Sequence, residues 1–215
     1  MIKAVIFDMD GVLIDSEPAN LERIRIYFRI HGHFASKDLL HSLVGRSNRD
    51  TWEVIQKAWG GNITFDEYYQ AFHAYCEEHP LCYPDLLFSD VKDLLIWLKE
   101  EGYLLGVASS SPLPLVQKVL RDCQIEQYFE ALVSGMDCHH SKPDPEIYLR
   151  TAKQLEIACE DCVAIEDSQA GIAAAHGAHM KVIVKMDEHF GAHSDDGDAK
   201  VYQLAEIKDL IKQWD

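Results

Sequence analysis

Short apolar runs alternate along most of the chain with segments in which apolar residues recur every three or four positions. The runs lie at residues 4–7, 104–108, 163–165 and 182–184, with a weaker one at 131–133. They are rich in β-branched residues, which is typical of strands buried on both faces. The helical stripes lie at residues 91–98, 115–120, 147–155 and 172–175. Alternating strands and helices predict an α/β fold with a mostly parallel sheet covered on both faces.

The stretch from about residue 17 to residue 82 departs from this rhythm, because it contains no convincing strand. Its apolar residues recur at helical spacing in three groups: Leu21, Ile24 and Phe28; Trp52, Ile55 and Trp59; Tyr68, Tyr69, Phe72 and Tyr75. Helical spacing predicts burial, so we interpret these aromatics as the core of a helical insert rather than a ligand cage. We assign residues 1–14 and 86–215 to a core domain and residues 15–85 to the insert.

Composition limits the partners. The formal net charge is −16 and no run of Lys or Arg is present, which argues against nucleic-acid binding. The first apolar run is too short for a signal core or a membrane span, so we expect a cytoplasmic protein without membrane contacts. We also expect a monomer. Cys159 and Cys162 form a lone CxxC pair, which favours reduced thiols over a zinc or redox site.

Two carboxylates follow the first apolar run, because Asp8 and Asp10 stand two residues apart and Gly11 comes next. In open parallel sheets, sites lie beyond the carboxyl ends of the strands. Gly11 permits a sharp turn there and lets backbone amides approach a ligand. One carboxylate at such a place can attack phosphorus, and a second can donate and accept the proton. A capped strand end with two exposed acids is the competing interpretation.

A second acidic pair, Glu166 and Asp167, closes the apolar run at residues 163–165. Four acids at one edge of a sheet would repel one another without a cation. Mg²⁺ suits phosphate chemistry, because it uses few carboxylates and shares phosphate oxygens. The sequence therefore predicts magnesium as the cofactor at this edge.

Two further loops carry groups that could bind an anion. Residues 107–112 end a strand in serine hydroxyls and then open a helix at Pro112, an arrangement that can hold phosphate but is also an ordinary serine N-cap. Lys142 lies between the weak strand and a helix start, on a backbone stiffened by prolines. It could neutralise phosphate and nearby carboxylates, although taken alone it is a turn with a solvated lysine.

In this order, the segments resemble the four motifs of the haloacid dehalogenase superfamily. Residues 8–16 are similar to the first motif nearly residue for residue, Ser109 corresponds to the second, Lys142 to the third, and Glu166 with Asp167 to the fourth. The resemblance covers the whole chain and is closest to the β-phosphoglucomutase-like branch. It implies a doubly wound, mostly parallel Rossmann-like sheet with an inserted helical cap domain.

The resemblance also implies catalytic and metal-binding roles. Asp8 would be the nucleophile, and Asp10 would protonate the leaving group and then activate water. Asp8, the backbone carbonyl of Asp10 and Asp167 would bind Mg²⁺. Glu166 would contribute to the metal site directly or through another ligand.

Further residues would bind the substrate. Ser109, with Ser110 beside it, and Lys142 would hold the transferring phosphoryl group. The candidate substrate contacts in the cap are Asn20, Gly45, Arg46 and Arg49. For the cap arginines, a solvated side chain is the competing interpretation.

Three functions follow from these residues. The first is a phosphatase acting on a small phosphorylated metabolite such as a sugar phosphate, the second a hexose-phosphate mutase of the β-phosphoglucomutase type, and the third a binding protein on an inactive scaffold. The intact Asp8, Asp10 and Lys142 argue against the third. Mutases of this branch carry a histidine early in the cap, where Asn20 stands here. Asparagine cannot exchange a proton near neutral pH, so we expect hydrolysis, with the mutase as the alternative.

Overall fold

The computed structural model describes residues 1–44, 48–61, 63–186 and 196–214, with the backbone alone for residues 48–50. The chain forms two compact units. One consists of Met1–Asp15 together with Tyr83–Asp215, and we call it the core unit. The other consists of Ser16–Cys82, and we call it the insert unit.

One parallel sheet lies in the core unit, with the strand order β3-β2-β1-β4-β5-β6. The strands are β1 (Ala4–Phe7), β2 (Leu104–Ser109), β3 (Ala131–Ser134), β4 (Cys162–Glu166), β5 (Lys181–Lys185) and β6 (Ala199–Val201). The strand order reverses between β1 and β4, which defines a doubly wound sheet and the position where such sheets bind ligands. The predicted fold class is confirmed.

Helices connect the strands and cover the sheet. The described helices are α1 (Glu17–Ile30), α2 (Lys37–His41), α3 (Asn48–Trp59), α4 (Phe65–Glu78), α5 (Val91–Glu100), α6 (Leu113–Asp122), α7 (Glu146–Gln154), α8 (Gln169–Gly177) and α9 (Ile207–Trp214). α7 and α8 pack on one face, where Tyr148 and Ile172 join Ile6 and Ala164 in a buried cluster. Every residue of β1 and β4 is buried, which explains why these strands are apolar without alternation up to Glu166 at the end of β4.

The insert unit contains α1 to α4, and its described residues include no strand. Tyr27 lies at the centre of its aromatic core, with ring centroids 5.5 Å from Trp59, 5.7 Å from Tyr68 and 5.1 Å from Phe72. Tyr27 and Tyr68 are buried. The structure therefore supports the interpretation of these aromatics as core, except for Tyr69, which is exposed because it lies on the outer face of α4. Across both units, no described helix has the length and apolar character that a membrane span requires.

The two chain segments that lead out of the core unit and back into it pair with each other. The amide of Asp15 donates to the carbonyl of Leu86 at 2.7 Å, and Ile14 forms an antiparallel bridge with Leu87. This pairing anchors the loop that follows β1, in which the first two predicted site residues lie.

Candidate active site

Asp8 follows the last residue of β1 and has only 7% of its surface exposed. Its amide donates to the carbonyl of Ile165 at 2.9 Å, which extends the pairing of β1 with β4 by one residue. β4 ends at Glu166, so two adjacent parallel strands end in acids at the same edge. The sheet therefore brings Asp8 to Glu166 and Asp167, as the sequence predicts.

Gly11 makes the close approach of the two acidic loops possible. Its φ of +77° lies in the left-handed region that favours glycine. A Cβ atom at this position would lie 2.0 Å from Oδ2 of Asp167, which is too close for any residue other than glycine. The amide of Gly11 donates to the carbonyl of Ile14 at 2.8 Å. Gly11 thus shapes the turn as predicted, but its own amide serves the loop rather than a ligand.

Lys142 lies at the centre of the site, and its side chain is 7% exposed. Its Nζ donates to Oδ1 of Asp8 at 2.6 Å, to Oε1 of Glu166 at 2.6 Å and to the carbonyl of Ala108 at 3.0 Å. An ammonium group has three protons, so these bonds use its full donor capacity. The structure thus rejects the solvated-turn interpretation and joins the residues that correspond to three of the four motifs.

Glu166 is fully buried, and both of its carboxylate oxygens accept hydrogen bonds. Oε1 accepts from Lys142 and from the hydroxyl of Tyr148, at 2.6 and 2.7 Å. Oε2 accepts from the amide of Asp167 at 3.1 Å and from the hydroxyl of Ser168 at 3.1 Å. Because protein donors surround both oxygens, this geometry favours an indirect contribution to a metal site over direct ligation.

Tyr148 is a member of this site that the sequence analysis does not identify. It lies on α7 with its side chain fully buried, and Nζ of Lys142 lies 5.2 Å from the centre of its ring. Burial, followed by the charge of Glu166, raises the pKa of Tyr148 well above its usual value, so the phenol keeps its proton. The available signal was a phenol on the buried stripe of α7, because a buried hydroxyl needs a partner.

Three consecutive serines, at the end of β2 and just beyond it, make different contacts. Ser109 is buried, and its Oγ accepts from the amide of Ser111 at 3.1 Å. Ser110 is exposed. Ser111, which the sequence analysis does not single out, donates from its Oγ to Oδ2 of Asp10 at 3.1 Å. The loop therefore supports the second carboxylate as well as offering hydroxyls near the strand ends.

The buried charges do not balance. Burial raises the pKa of Asp8 to about 7, and repulsion from Glu166 and Asp10 adds to this effect while Lys142 opposes it. Burial, together with Asp8 and Glu166, also raises the pKa of Asp167 well above its usual range. Burial alone would lower the pKa of Lys142, but the attraction of Asp8 and Glu166 outweighs it and raises that pKa. One lysine thus lies among the carboxylates of Asp8, Glu166 and Asp167, and it bonds only to the first two.

The donor set at this edge fits a hard divalent cation. Asp8, Glu166 and Asp167 each offer a carboxylate oxygen, and these atoms lie within 4.8 Å of one another. A cation would lower the pKa of Asp8 and Asp167 by favouring their charged forms. Since the oxygens of Glu166 are already bonded, Asp8 and Asp167 are the ligands that the geometry favours. The carboxylate of Asp10 is held by Ser111, which leaves its backbone carbonyl as the predicted ligand atom.

A second group of potential ligands, His140, Asp144 and Glu146, is explained by its own pairing. The carboxylate of Glu146 accepts from the amides of His139 and His140 at 3.0 and 2.9 Å, and it pairs with Arg150. The hydrogen bond from the amide of His139 contributes most to lowering the pKa of Glu146, which is about 2. These contacts fix the start of α7, and the neighbouring Arg150 disfavours a cation.

The two cysteines of the CxxC pair are not joined in a disulfide and belong to no group of potential metal ligands among the described residues. Cys159 and Cys162 are both free thiols, and Cys162 is buried at the start of β4. Burial, followed by the proximity of Cys159, raises the pKa of Cys162 to about 12. A thiol that stays protonated is a poor metal ligand and a poor nucleophile, which agrees with the prediction of reduced thiols.

The predicted cap contacts belong to the insert unit. Asn20 lies in the first turns of α1, where it is partly buried and its amide donates to the carbonyl of Ser16 at 2.9 Å. Gly45 and Arg46 lie outside the described residues. Arg49 lies in α3, and its side chain is also outside the described part of the chain.

Comparison with known proteins gives a consistent result. The model of the haloacid dehalogenase-like hydrolase family matches residues 5–185. The phosphorylated carbohydrates phosphatase of Thermotoga maritima is 32% identical over 184 residues, which cover 85% of this chain and 84% of that protein. The β-phosphoglucomutase of Bacillus subtilis is 32% identical over 192 residues, which cover 83% of this chain and 81% of that protein.

Solved structures share the fold. The crystal structure of CbbY from Rhodobacter sphaeroides in complex with phosphate superimposes with a TM-score of 0.78, covering 96% of each chain at 24% identity. The similarities therefore extend across both the core unit and the insert unit.

Proposed function

The chain belongs to the haloacid dehalogenase-like hydrolase family and is an enzyme of the phosphatase or mutase type, and we propose that it is a magnesium-dependent phosphatase for sugar phosphates. The observation that carries this proposal is the buried contact of Asp8 with Lys142, at 2.6 Å, beside Asp167. In this proposal the reaction passes through an aspartyl phosphate on Asp8.

Asp8 would supply the nucleophile. A carboxylate oxygen of Asp8 attacks phosphorus, and the bond between phosphorus and the sugar oxygen breaks as the new bond forms. The departing oxygen takes a proton from the carboxyl group of Asp10. Lys142 already lies against Asp8, so it can turn one N–H from the carboxylate to a phosphoryl oxygen without leaving its place.

Hydrolysis would complete the cycle through Asp10. Its carboxylate removes a proton from water, the water oxygen attacks phosphorus, and the bond to Asp8 breaks. Phosphate leaves, and both acids return to their starting forms. The hydrogen bond from Ser111 orients the carboxylate of Asp10. The hydroxyl of Ser109, at the buried end of β2, is the candidate to donate to a phosphoryl oxygen.

Magnesium would be held by Asp8, Asp167 and the backbone carbonyl of Asp10, with Glu166 fixing its neighbours. When bound, it neutralises carboxylate and phosphoryl charge. The surplus of buried carboxylates around one lysine supports this assignment.

The relatives support sugar phosphates as the substrate class, since the T. maritima protein is a phosphorylated carbohydrates phosphatase. The B. subtilis β-phosphoglucomutase keeps the mutase as the second candidate. Asn20 favours hydrolysis, because an amide side chain cannot relay a proton. We also propose that the insert unit is the cap, which would select the substrate.

The test supplies β-glucose 1-phosphate with a trace of the bisphosphate, and a panel of other sugar phosphates, in the presence of Mg²⁺. Free phosphate and glucose 6-phosphate are measured together. We expect free phosphate as the main product, and no turnover in excess chelator. The matched control is Asp8→Asn, an isosteric change that should lower turnover by roughly a thousandfold or more while the protein stays folded.

Three results would contradict this proposal. Glucose 6-phosphate formed well ahead of free phosphate would establish the mutase instead. If folded Asp8→Asn protein kept a tenth of the wild-type rate, or if full activity persisted in chelator, the nucleophile or the metal would be wrongly assigned.

A further inference from the structure

Glu166 shares one carboxylate oxygen between two donors that lie on different elements. Oε1 of Glu166 accepts from Nζ of Lys142 at 2.6 Å and from the hydroxyl of Tyr148 at 2.7 Å. Tyr148 is fully buried, and its ring also lies beside the same ammonium group, 5.2 Å from Nζ. Tyr148 therefore contacts both members of the ion pair that adjoins Asp8.

The shared oxygen has a consequence for the strength of the ion pair. Glu166 is fixed, because its other oxygen accepts from the amide of Asp167 and the hydroxyl of Ser168, each at 3.1 Å. A carboxylate oxygen that accepts a hydrogen bond from a phenol is polarised by it and has less negative charge to offer to a second donor. The hydroxyl of Tyr148 thus weakens the attraction of Glu166 for Lys142 without removing it.

We propose that Tyr148 is a positioning residue that limits the hold of Glu166 on Lys142 and so keeps the ammonium available to phosphoryl oxygens at Asp8. This inference rests on the proposed function, since it assigns Lys142 to the transferring phosphoryl group. Tyr148 acts through Glu166 and the ring contact, and it does not itself touch the reacting atoms.

The variant Tyr148→Phe separates the hydroxyl from the ring, because it removes the hydrogen bond and keeps the aromatic face beside Lys142. We expect kcat to fall by about tenfold, the order of effect for a lost hydrogen bond to a charged group. KM should change by less than about twofold, since the phenol lies outside the substrate contacts. The inhibition constant for orthovanadate, a mimic of the transferring phosphoryl group, should rise in parallel with the loss of kcat.

A purely structural role predicts a different pattern. It would lower the melting temperature while leaving kcat and vanadate inhibition unchanged at temperatures well below the transition. Tyr202→Phe is the matched control, because Tyr202 is exposed after β6 and its hydroxyl can be removed without touching the site. Kinetic constants of Tyr148→Phe that match the control would overturn the inference.

A double-mutant cycle tests whether Tyr148 acts through Glu166. In a Glu166→Gln background the charge on Oε1 is gone, so adding Tyr148→Phe should change kcat by less than about twofold. An undiminished tenfold loss in that background would show that Tyr148 acts by another route. Orthovanadate binding, measured by calorimetry with Mg²⁺, reads the same coupling in variants too slow to assay.

The two proposals fail in different ways. Absence of wild-type turnover on every sugar phosphate contradicts the proposed function. An active wild type with an equally active Tyr148→Phe variant contradicts only the role of Tyr148.

Discussion

The hydroxyl of Ser111 reaches the carboxylate of Asp10 across 101 positions in the chain, because β1 and β2 are neighbours in the sheet. Two hydrogen bonds of its backbone fix the position of Ser111. Its amide donates to Oγ of Ser109 at 3.1 Å, and its carbonyl accepts from Oγ of Ser134 at 2.8 Å. At the scale of single residues, the orientation of the proposed acid thus depends on a serine turn.

We predict that Ser111→Ala lowers kcat by about tenfold, since Asp10 loses a hydrogen bond that directs its carboxylate. The melting temperature should change little, because the backbone contacts of Ser111 remain. Ser111→Thr, which keeps the hydroxyl, should recover most of the rate. Steady-state kinetics of the three proteins on one sugar phosphate give the comparison, and equal rates in Ser111→Ala and wild type would remove Ser111 from the site.

At the scale of the element, α8 begins where the chain must pass close to a buried carboxylate. Ser168 caps the helix, because its Oγ accepts from the amide of Gly171 at 3.1 Å and also donates to Oε2 of Glu166 at 3.1 Å. Gly171 leaves room for that carboxylate. A Cβ at this position would lie 1.8 Å from Oε1 of Glu166.

The substitution Gly171→Ala therefore has two opposing effects on stability, a gain in helix propensity and a loss from overpacking. Alanine favours a helix over glycine by about 1 kcal/mol, whereas overpacking costs about 1–3 kcal/mol. Because the added methyl must displace Glu166, we predict a net loss of stability together with a fall in kcat. The control is Ala173→Gly, an exposed position of α8 that should lose about 1 kcal/mol without a change in kcat. Denaturant unfolding measures the change in stability, and steady-state kinetics measure the change in kcat. A stabilised, fully active Gly171→Ala protein would contradict the clash.

At the scale of the whole molecule, the edge of the sheet concentrates negative charge in a chain that is already acidic, with a formal net charge of −16. Burial raises the pKa of Asp8 from 3.8 to about 7. Between these values the folded protein binds a proton that the unfolded chain has released, so stability falls as the pH rises from about 4 to about 7. Deprotonation of this site works against folding wherever no cation is bound.

We accordingly predict that metal-free protein loses stability as the pH rises through this window, and that Mg²⁺ restores it most at pH 8. A cation at about one hundred times its Kd adds about 2.7 kcal/mol, which corresponds to roughly 5–10 °C in Tm for a chain of this size. Asp167→Asn should be more stable than wild type in chelator at pH 8 and should respond little to Mg²⁺. Thermal unfolding at pH 5 and pH 8 provides the measurement. An equal Mg²⁺ effect at both pH values, or one that survives Asp167→Asn, would place the ion elsewhere.

Local pattern in the sequence predicted five of the six strands that the described residues form, because a strand buried on both faces has an apolar signature. It also predicted that the acids at the ends of β1 and β4 lie together, because parallel strands end at a common edge. It did not predict β6, whose three residues, Ala199–Val201, are too short to show a period. The acids and Lys142 stood out because charged residues at strand ends are conspicuous beside apolar runs.

The tertiary structure alone identified Tyr148 and Ser111. In the sequence each belongs to an ordinary context, a helical apolar stripe and a serine N-cap, and neither context names a partner 18 or 101 positions away. Packing of α7 against the sheet brings the phenol to Glu166, and pairing of β1 with β2 brings the hydroxyl to Asp10. The type of chemistry could be inferred from residue types and their order along the chain, whereas the hydrogen bonds that direct each group depend on distances that only the folded chain sets.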